Sequence, residues 1–263
     1  MRFITKRRLG TIAAMLFSAC GLLTANSHTL DTISYNFQLA GGGGGVAAQI
    51  DHSLNIEIYC IDFNNDIFIP VKDYAANLIP ITTAAWAADS SLAGRTRFGH
   101  VLNWTPVTAT IDAATDLQRY QMEAYLVSKY DRTNNGDPNV NARNNAIQQA
   151  IWDILDPIGE SASIPNPGSA ITSNANYNPQ QWLMNAGSWL TDSSAGAGAA
   201  RESFLASYVV VSDASNPVCG DPLVKCGFQE QMTMVPEPAH IALVLGGLFS
   251  LLIISFRKRF GKA

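Results

Sequence analysis

Four cysteines, Cys20, Cys60, Cys219 and Cys226, are the residues of this 263-residue chain whose chemistry depends most on spacing. Cys219 and Cys226 flank Gly220 to Lys225, a short turn-bearing loop suited to a local disulfide in an oxidising compartment. Loop entropy gives such a bridge about 2–3 kcal/mol. Cys20 lies in an apolar N-terminal run expected to be removed on export or, at Phe17-Ser18-Ala19-Cys20, lipidated. Cys60 is then odd, at the end of the alternating segment Leu54 to Cys60. A lone thiol in that setting is a buried inert group, a partner for a second chain, or a nucleophile. A cysteine hydrolase would need a base and an orienting group, for which His100 and Asp62 or Asn103 are the candidates, without any family signature around them.

Other site chemistry is thin. The body holds no Gly-x-Ser-x-Gly, and His28, His52, His100 and His240 show no zinc-ligand spacing. Asp62-x-Asn64-x-Asp66 and Asp131-x-Thr133-x-Asn135 begin like calcium loops, but the second has Ala142 where the twelfth-position Glu belongs. Both read as polar turns, and neither metal nor cofactor is expected.

The elements that position Cys60 follow from periodicity. Tyr35 to Leu39 and Leu54 to Cys60 alternate as strands, with Gly41 to Gly45 as a turn that lacks the Lys-Ser/Thr of a phosphate loop. Leu117, Tyr120, Ala124 and Val127 mark a helix capped by Thr115 or Asp116. After the loop Asp131 to Pro138, a second helix runs from about Asn141 to Leu155, with Pro157 as its stop. A third begins at Pro179 behind Asn178 and carries Trp182 and Trp189. Strand composition returns at Ser207 to Ser212 and Gly227 to Met234. The expected fold is α+β, a β-rich sandwich or barrel-like body over residues 29–235 with an inserted helical subdomain.

The second helix holds a side-chain amide of interest. At about 100° per residue, Ile147, Ile151, Ile154 and Leu155 form an apolar arc extending to Trp152, and Gln148 falls inside it. Gln149 projects with Asp153 and Asp156 toward the side expected to face water. A buried amide needs hydrogen-bond partners or loses about 1–3 kcal/mol, and backbone groups could supply them.

Tyr59-Cys60-Ile61-Asp62, followed downstream by Gln148-Gln149-Ala150-Ile151-Trp152, resembles the thioester domains of bacterial surface adhesins. In that family a Cys after an aromatic residue condenses with the Gln of a Thr-Gln-x-Ala motif, releasing ammonia. The resemblance assigns these roles to Cys60 and Gln148, with Ala150 and Trp152 also matching and Ile147 standing where Thr is typical. It implies that an amine or hydroxyl on a neighbouring surface attacks the former Gln148 carbonyl and expels the Cys60 thiolate. Tyr59, Ile151 and Trp152 are the candidates for an apolar pocket that keeps water away.

The two ends read as addresses. Arg2, Lys6, Arg7 and Arg8 precede a short apolar run ending in small residues, a signal peptide over about 1–27 that implies export through the Sec translocon. At the other end Pro236-Glu237-Pro238 precedes eighteen mostly apolar residues, Ala239 to Phe256, and then Arg257-Lys258-Arg259. At 1.5 Å per residue the run spans about 27 Å, enough for a transmembrane helix, and the basic cluster should stay cytoplasmic. This end, 236–263, resembles the PEP-CTERM sorting signal. The resemblance implies an inner-membrane intermediate that an exosortase recognises and cuts near the motif, releasing the body to the cell surface or an exopolysaccharide matrix.

Charge supports the division into body and ends. Between Thr29 and Val235 there are 9 Lys/Arg against 20 Asp/Glu, which would repel a phosphate backbone, so nucleic acid is not an expected partner. With 47% hydrophobic and 14% charged residues, a wholly disordered chain is excluded and coiled coils are not expected. The expected function is that of a non-enzymatic surface or matrix protein, attaching covalently through Cys60 and Gln148. The alternatives are a passive matrix or glycan-binding protein, with Trp86, Trp104 or Trp182 meeting sugar faces, and the cysteine hydrolase.

Overall fold

The computed structural model describes residues 28–38, 44–61, 71–96, 114–132, 138–155, 174–214 and 230–235. All but the last residue belong to one compact unit, Asn26–Met234. The expected signal peptide over 1–27, the expected sorting signal over 236–263 with its helix at about 239–256, and Cys219 and Cys226 lie outside the described residues. No helix among the described residues is long and apolar enough to cross a membrane.

Six strands, β1 His28–Gln38, β2 Gly44–Ile50, β3 Leu54–Cys60, β4 Val71–Pro80, β5 Tyr208–Asp213 and β6 Gln231–Met234, close into a barrel in the order β1-β2-β3-β6-β5-β4. Every pairing is antiparallel. The sheet is therefore a barrel and not a sandwich, with each described strand paired to a neighbour on both sides. Register shifts at Thr32/Ser34 and Tyr35/Phe37 interrupt the β1–β2 ladder, where bulges let β1 bend around the barrel.

The period-two alternation of the strands serves two cores. Val46, Ala48 and Ile50 of β2, Ile56 and Ile58 of β3, and Ala76 and Leu78 of β4 share one buried cluster, the barrel interior. On β5, Val211 joins that cluster while Tyr208 and Val210 pack with the helices. Cys60 has the parity of Ile56 and Ile58 yet belongs to the helical core, because β3 ends there and side chains from a later helix meet it.

Between β4 and β5 the described chain forms α1 Thr83–Ala88, α2 Asp116–Val127, α3 Pro138–Leu155, α4 Pro179–Thr191 and α5 Ala197–Leu205. Thr115 caps α2 in a reciprocal box with Gln118, and Asn178 caps α4 ahead of Pro179. Helix α3 begins three residues before the expected Asn141, since Pro138 is tolerated in a first turn that needs no N–H. Gly44 and Gly45, expected in a turn, are the first residues of β2. Asp153, expected to face water, is half-buried, and burial pushes its carboxyl up to about 6.

Candidate functional site

The β2–β3 hairpin sets one side of the site. Asp51 and His52 take left-handed backbone at its tip, and the ladder runs from Ile50 opposite Leu54 to Gly45 opposite Tyr59. Gly44, just before that last pair, is partnered by Gln38 of β1, and Cys60, just after it, by Gln231 of β6. Gly44 has a φ of 126°, a backbone conformation open to glycine and strained for other residues.

Helix α3 supplies the other side through Asn144, Gln148 and Trp152, spaced four apart on one helical face and all buried. The Gln148 Nε2 donates to the Cys60 carbonyl at 2.9 Å. Its Oε1 accepts from the Tyr130 hydroxyl at 2.7 Å and from the Gly44 N–H at 3.2 Å. Two donors on one end and an acceptor on the other fit a single orientation of the amide. One turn further, Trp152 Nε1 donates to the Cys60 sulfur at 3.2 Å. Cys60 is thus held at its carbonyl by Gln148 and at its sulfur by Trp152.

Tyr130 is fixed from several directions. The chain leaves α2 through tight turns at Lys129 and Tyr130, whose N–H groups bond to the carbonyls of Leu126 and Val127. Asn144 then clamps the next residue reciprocally, accepting from the Asp131 N–H at 3.0 Å and donating to its carbonyl at 2.8 Å. The Tyr130 ring stacks on Tyr59 with centroids 5.2 Å apart and planes 10° from parallel. Tyr59 donates to Glu57 Oε2, and the Arg132 guanidinium lies 5.4 Å over the Tyr59 ring with its Nε 3.6 Å from the same carboxylate oxygen. Burial, followed by neighbouring Cys60 and Tyr59, pushes the Tyr130 phenol well above its ordinary range. It remains a hydrogen donor at any working pH.

The structure brings together Cys60, Gln148, Tyr59 and Trp152, and buries Ile151 in the same helical core. Gly44, Tyr130 and Asn144 complete the site and were not singled out from sequence. The spacing of Asn144, Gln148 and Trp152 was the available signal, a buried polar stripe inside an otherwise apolar arc. His100, Asp62 and Asn103, the groups a hydrolase would need, lie outside the described residues, as do Trp104 and the sorting residues Pro236, Glu237, Pro238, Arg257, Lys258 and Arg259. Trp86 donates its indole N–H to the Pro80 carbonyl, and Trp182 is buried, donating to Asn176 with Arg143 over its ring. Among the described residues no group of three or more His, Cys, Asp or Glu is placed to hold a metal ion.

The Gln148 carboxamide and the Cys60 thiol lie in one buried core, where the amide reaches the Cys60 backbone and the Trp152 indole reaches its sulfur. The carbonyl oxygen faces the Tyr130 hydroxyl and the Gly44 N–H, and the sulfur faces the Trp152 indole N–H. No protein-family model, curated protein or solved structure matches the chain.

Proposed function

We propose that the protein is an exported surface or matrix protein whose barrel body forms an internal thioester between Cys60 and Gln148. In this reading residues 1–27 are a signal peptide, and 236–263 are a PEP-CTERM sorting signal with a transmembrane helix at about 239–256. An exosortase removes the tail. The observation that carries the chemistry is the double engagement of Cys60, its carbonyl by the Gln148 amide and its sulfur by the Trp152 indole.

In the first step the Cys60 sulfur attacks the Gln148 side-chain carbonyl, a C–S bond forms, the C–N bond breaks, and the thiol proton leaves with ammonia. In the second, an amine on a neighbouring surface attacks the same carbon, a C–N bond forms, and the departing Cys60 sulfur takes up the amine's proton. A hydroxyl would give an ester by the same route. The protein acts once, as a covalent anchor and not as a turnover enzyme, and burial of Gln148, Ile151 and Trp152 slows hydrolysis before a target docks.

Intact mass of the processed protein tests this reading. The mass is lower than the sequence requires by one ammonia, Cys60→Ala restores the full value, and methylamine adds once to the wild type.

A second reading rests on the completeness of the same network. Gln148 has partners at both ends of its amide, so the cluster also suffices to pin α3 to the barrel of a passive matrix protein. That reading requires the full sequence mass and an alkylatable Cys60.

A further inference from the structure

Attack on the Gln148 carbonyl, by the Cys60 sulfur or later by an amine, moves negative charge onto its oxygen, and catalysis requires donors waiting where that charge develops. Two are in place. The Tyr130 hydroxyl lies 2.7 Å from Oε1 and the Gly44 N–H 3.2 Å from it, in a core where Gln148 is fully buried. A hydrogen bond of 3.2 Å to a neutral amide shortens as its acceptor becomes an anion.

Neither donor is free to turn away. Tyr130 is stacked on Tyr59, and its chain neighbour Asp131 is clamped to Asn144, one turn from Gln148 on the same helix. Gly44 is held at the start of β2, in a ladder that pairs Gly45 with Tyr59 and Gly44 with Gln38, and its φ of 126° explains why a glycine stands there. A side-chain carbonyl needs only one donor to be satisfied in a core; a second, rigid one is what a transition-state oxygen would use.

We infer that Tyr130 and the Gly44 amide form an oxyanion hole for acyl transfer at Gln148, serving both closure of the bond with Cys60 and its capture by an amine. The inference rests on the thioester reading and makes Tyr130 a catalytic residue, since its hydroxyl touches the oxygen of the reacting carbonyl. Each step conserves atoms as written above; the two donors lend hydrogen bonds and give up no proton.

The test follows ammonia loss and the methylamine rate in the mature exported protein. Tyr130→Phe removes one donor and keeps the stacked ring, so both closure and methylamine capture slow by about 100-fold. Tyr125→Phe, which removes a hydroxyl from α2 away from the site, keeps the wild-type rate. Fluorotyrosine at position 130 keeps the fold and donates more strongly, and capture speeds up. Wild-type rates in a folded Tyr130→Phe protein, or an unchanged rate with fluorotyrosine, would overturn the oxyanion role and leave the thioester standing. A wild type that keeps its ammonia overturns the thioester and this inference together.

Discussion

Trp152 reaches the sulfur of Cys60 from the same face of α3 on which Gln148, one turn earlier, reaches the Cys60 carbonyl. The two contacts have different chemical consequences. In the proposed chemistry the amide contact would hold the electrophile against the strand end, and the indole contact would stabilise charge on sulfur as the thiolate attacks or leaves. Trp152→Phe keeps most of the packing and removes the donor. Urea unfolding should show a loss of about 1 kcal/mol, and methylamine capture should slow in a protein that still folds. An unchanged rate would mean that the indole only packs.

Asn144 joins the segment bearing Tyr130 to the helix bearing Gln148 through two hydrogen bonds to Asp131. Asn144→Ala should destabilise the body by about 1–3 kcal/mol, from two bonds of about 1 kcal/mol each and the unsatisfied groups they leave. Because Tyr130 loses its tether, the amine-capture rate should fall by more than the stability loss alone accounts for. Equilibrium unfolding and the methylamine rate, measured side by side, separate the two effects.

Gly44 has a φ of 126°, which a residue with a Cβ adopts only under strain. Gly44→Ala should cost about 1–3 kcal/mol through the positive φ, seen as a lowered thermal midpoint. An alanine protein as stable as wild type would show that β2 starts in a different conformation.

Asp153 follows Trp152 on α3 and is half-buried, with its carboxyl raised from 3.8 to about 6 by desolvation. The charged form is the one that folding penalises. The penalty is absent below about pH 4, where both folded and unfolded chains are protonated, grows as pH rises through 6, and is complete above it. Asp153→Asn should therefore stabilise the protein by about 1–3 kcal/mol at pH 7–8 and leave it unchanged near pH 3. Thermal unfolding at the two pH values checks the sign.

Much of the framework was legible because it rests on local periodicity. Leu54–Cys60 alternates strongly enough to read as a strand to the residue, and Thr115, Asn178 and Pro179 mark helix starts by side-chain chemistry that is local to the turn. The difference between Gln148 and Gln149 was also visible, since a helix separates adjacent residues by about 100°. Strands β2 and β4 were not legible. The first opens Gly-Gly-Val-Ala-Ala, where Val46 alone favours strand, and the second mixes Lys72, Asp73 and Asn77 with a terminal Pro80. β2 is held between its chain neighbours β1 and β3, and β4 by long-range pairing with β1 and β5, none of which periodicity records. The site divided in the same way. Cys60, Gln148 and Trp152 carry their chemistry in their side chains, whereas Gly44 contributes a backbone N–H and Tyr130 sits in a turn with no period to single it out.

The central claim concerns one covalent bond, and peptide mapping of the mature protein after methylamine treatment tests it most directly. The account predicts a methylated amide on the side chain of residue 148 and a thiol at Cys60 that becomes alkylatable only after that treatment. An unmodified Gln148, together with a Cys60 that is fully alkylated in the untreated, denatured protein, would contradict it.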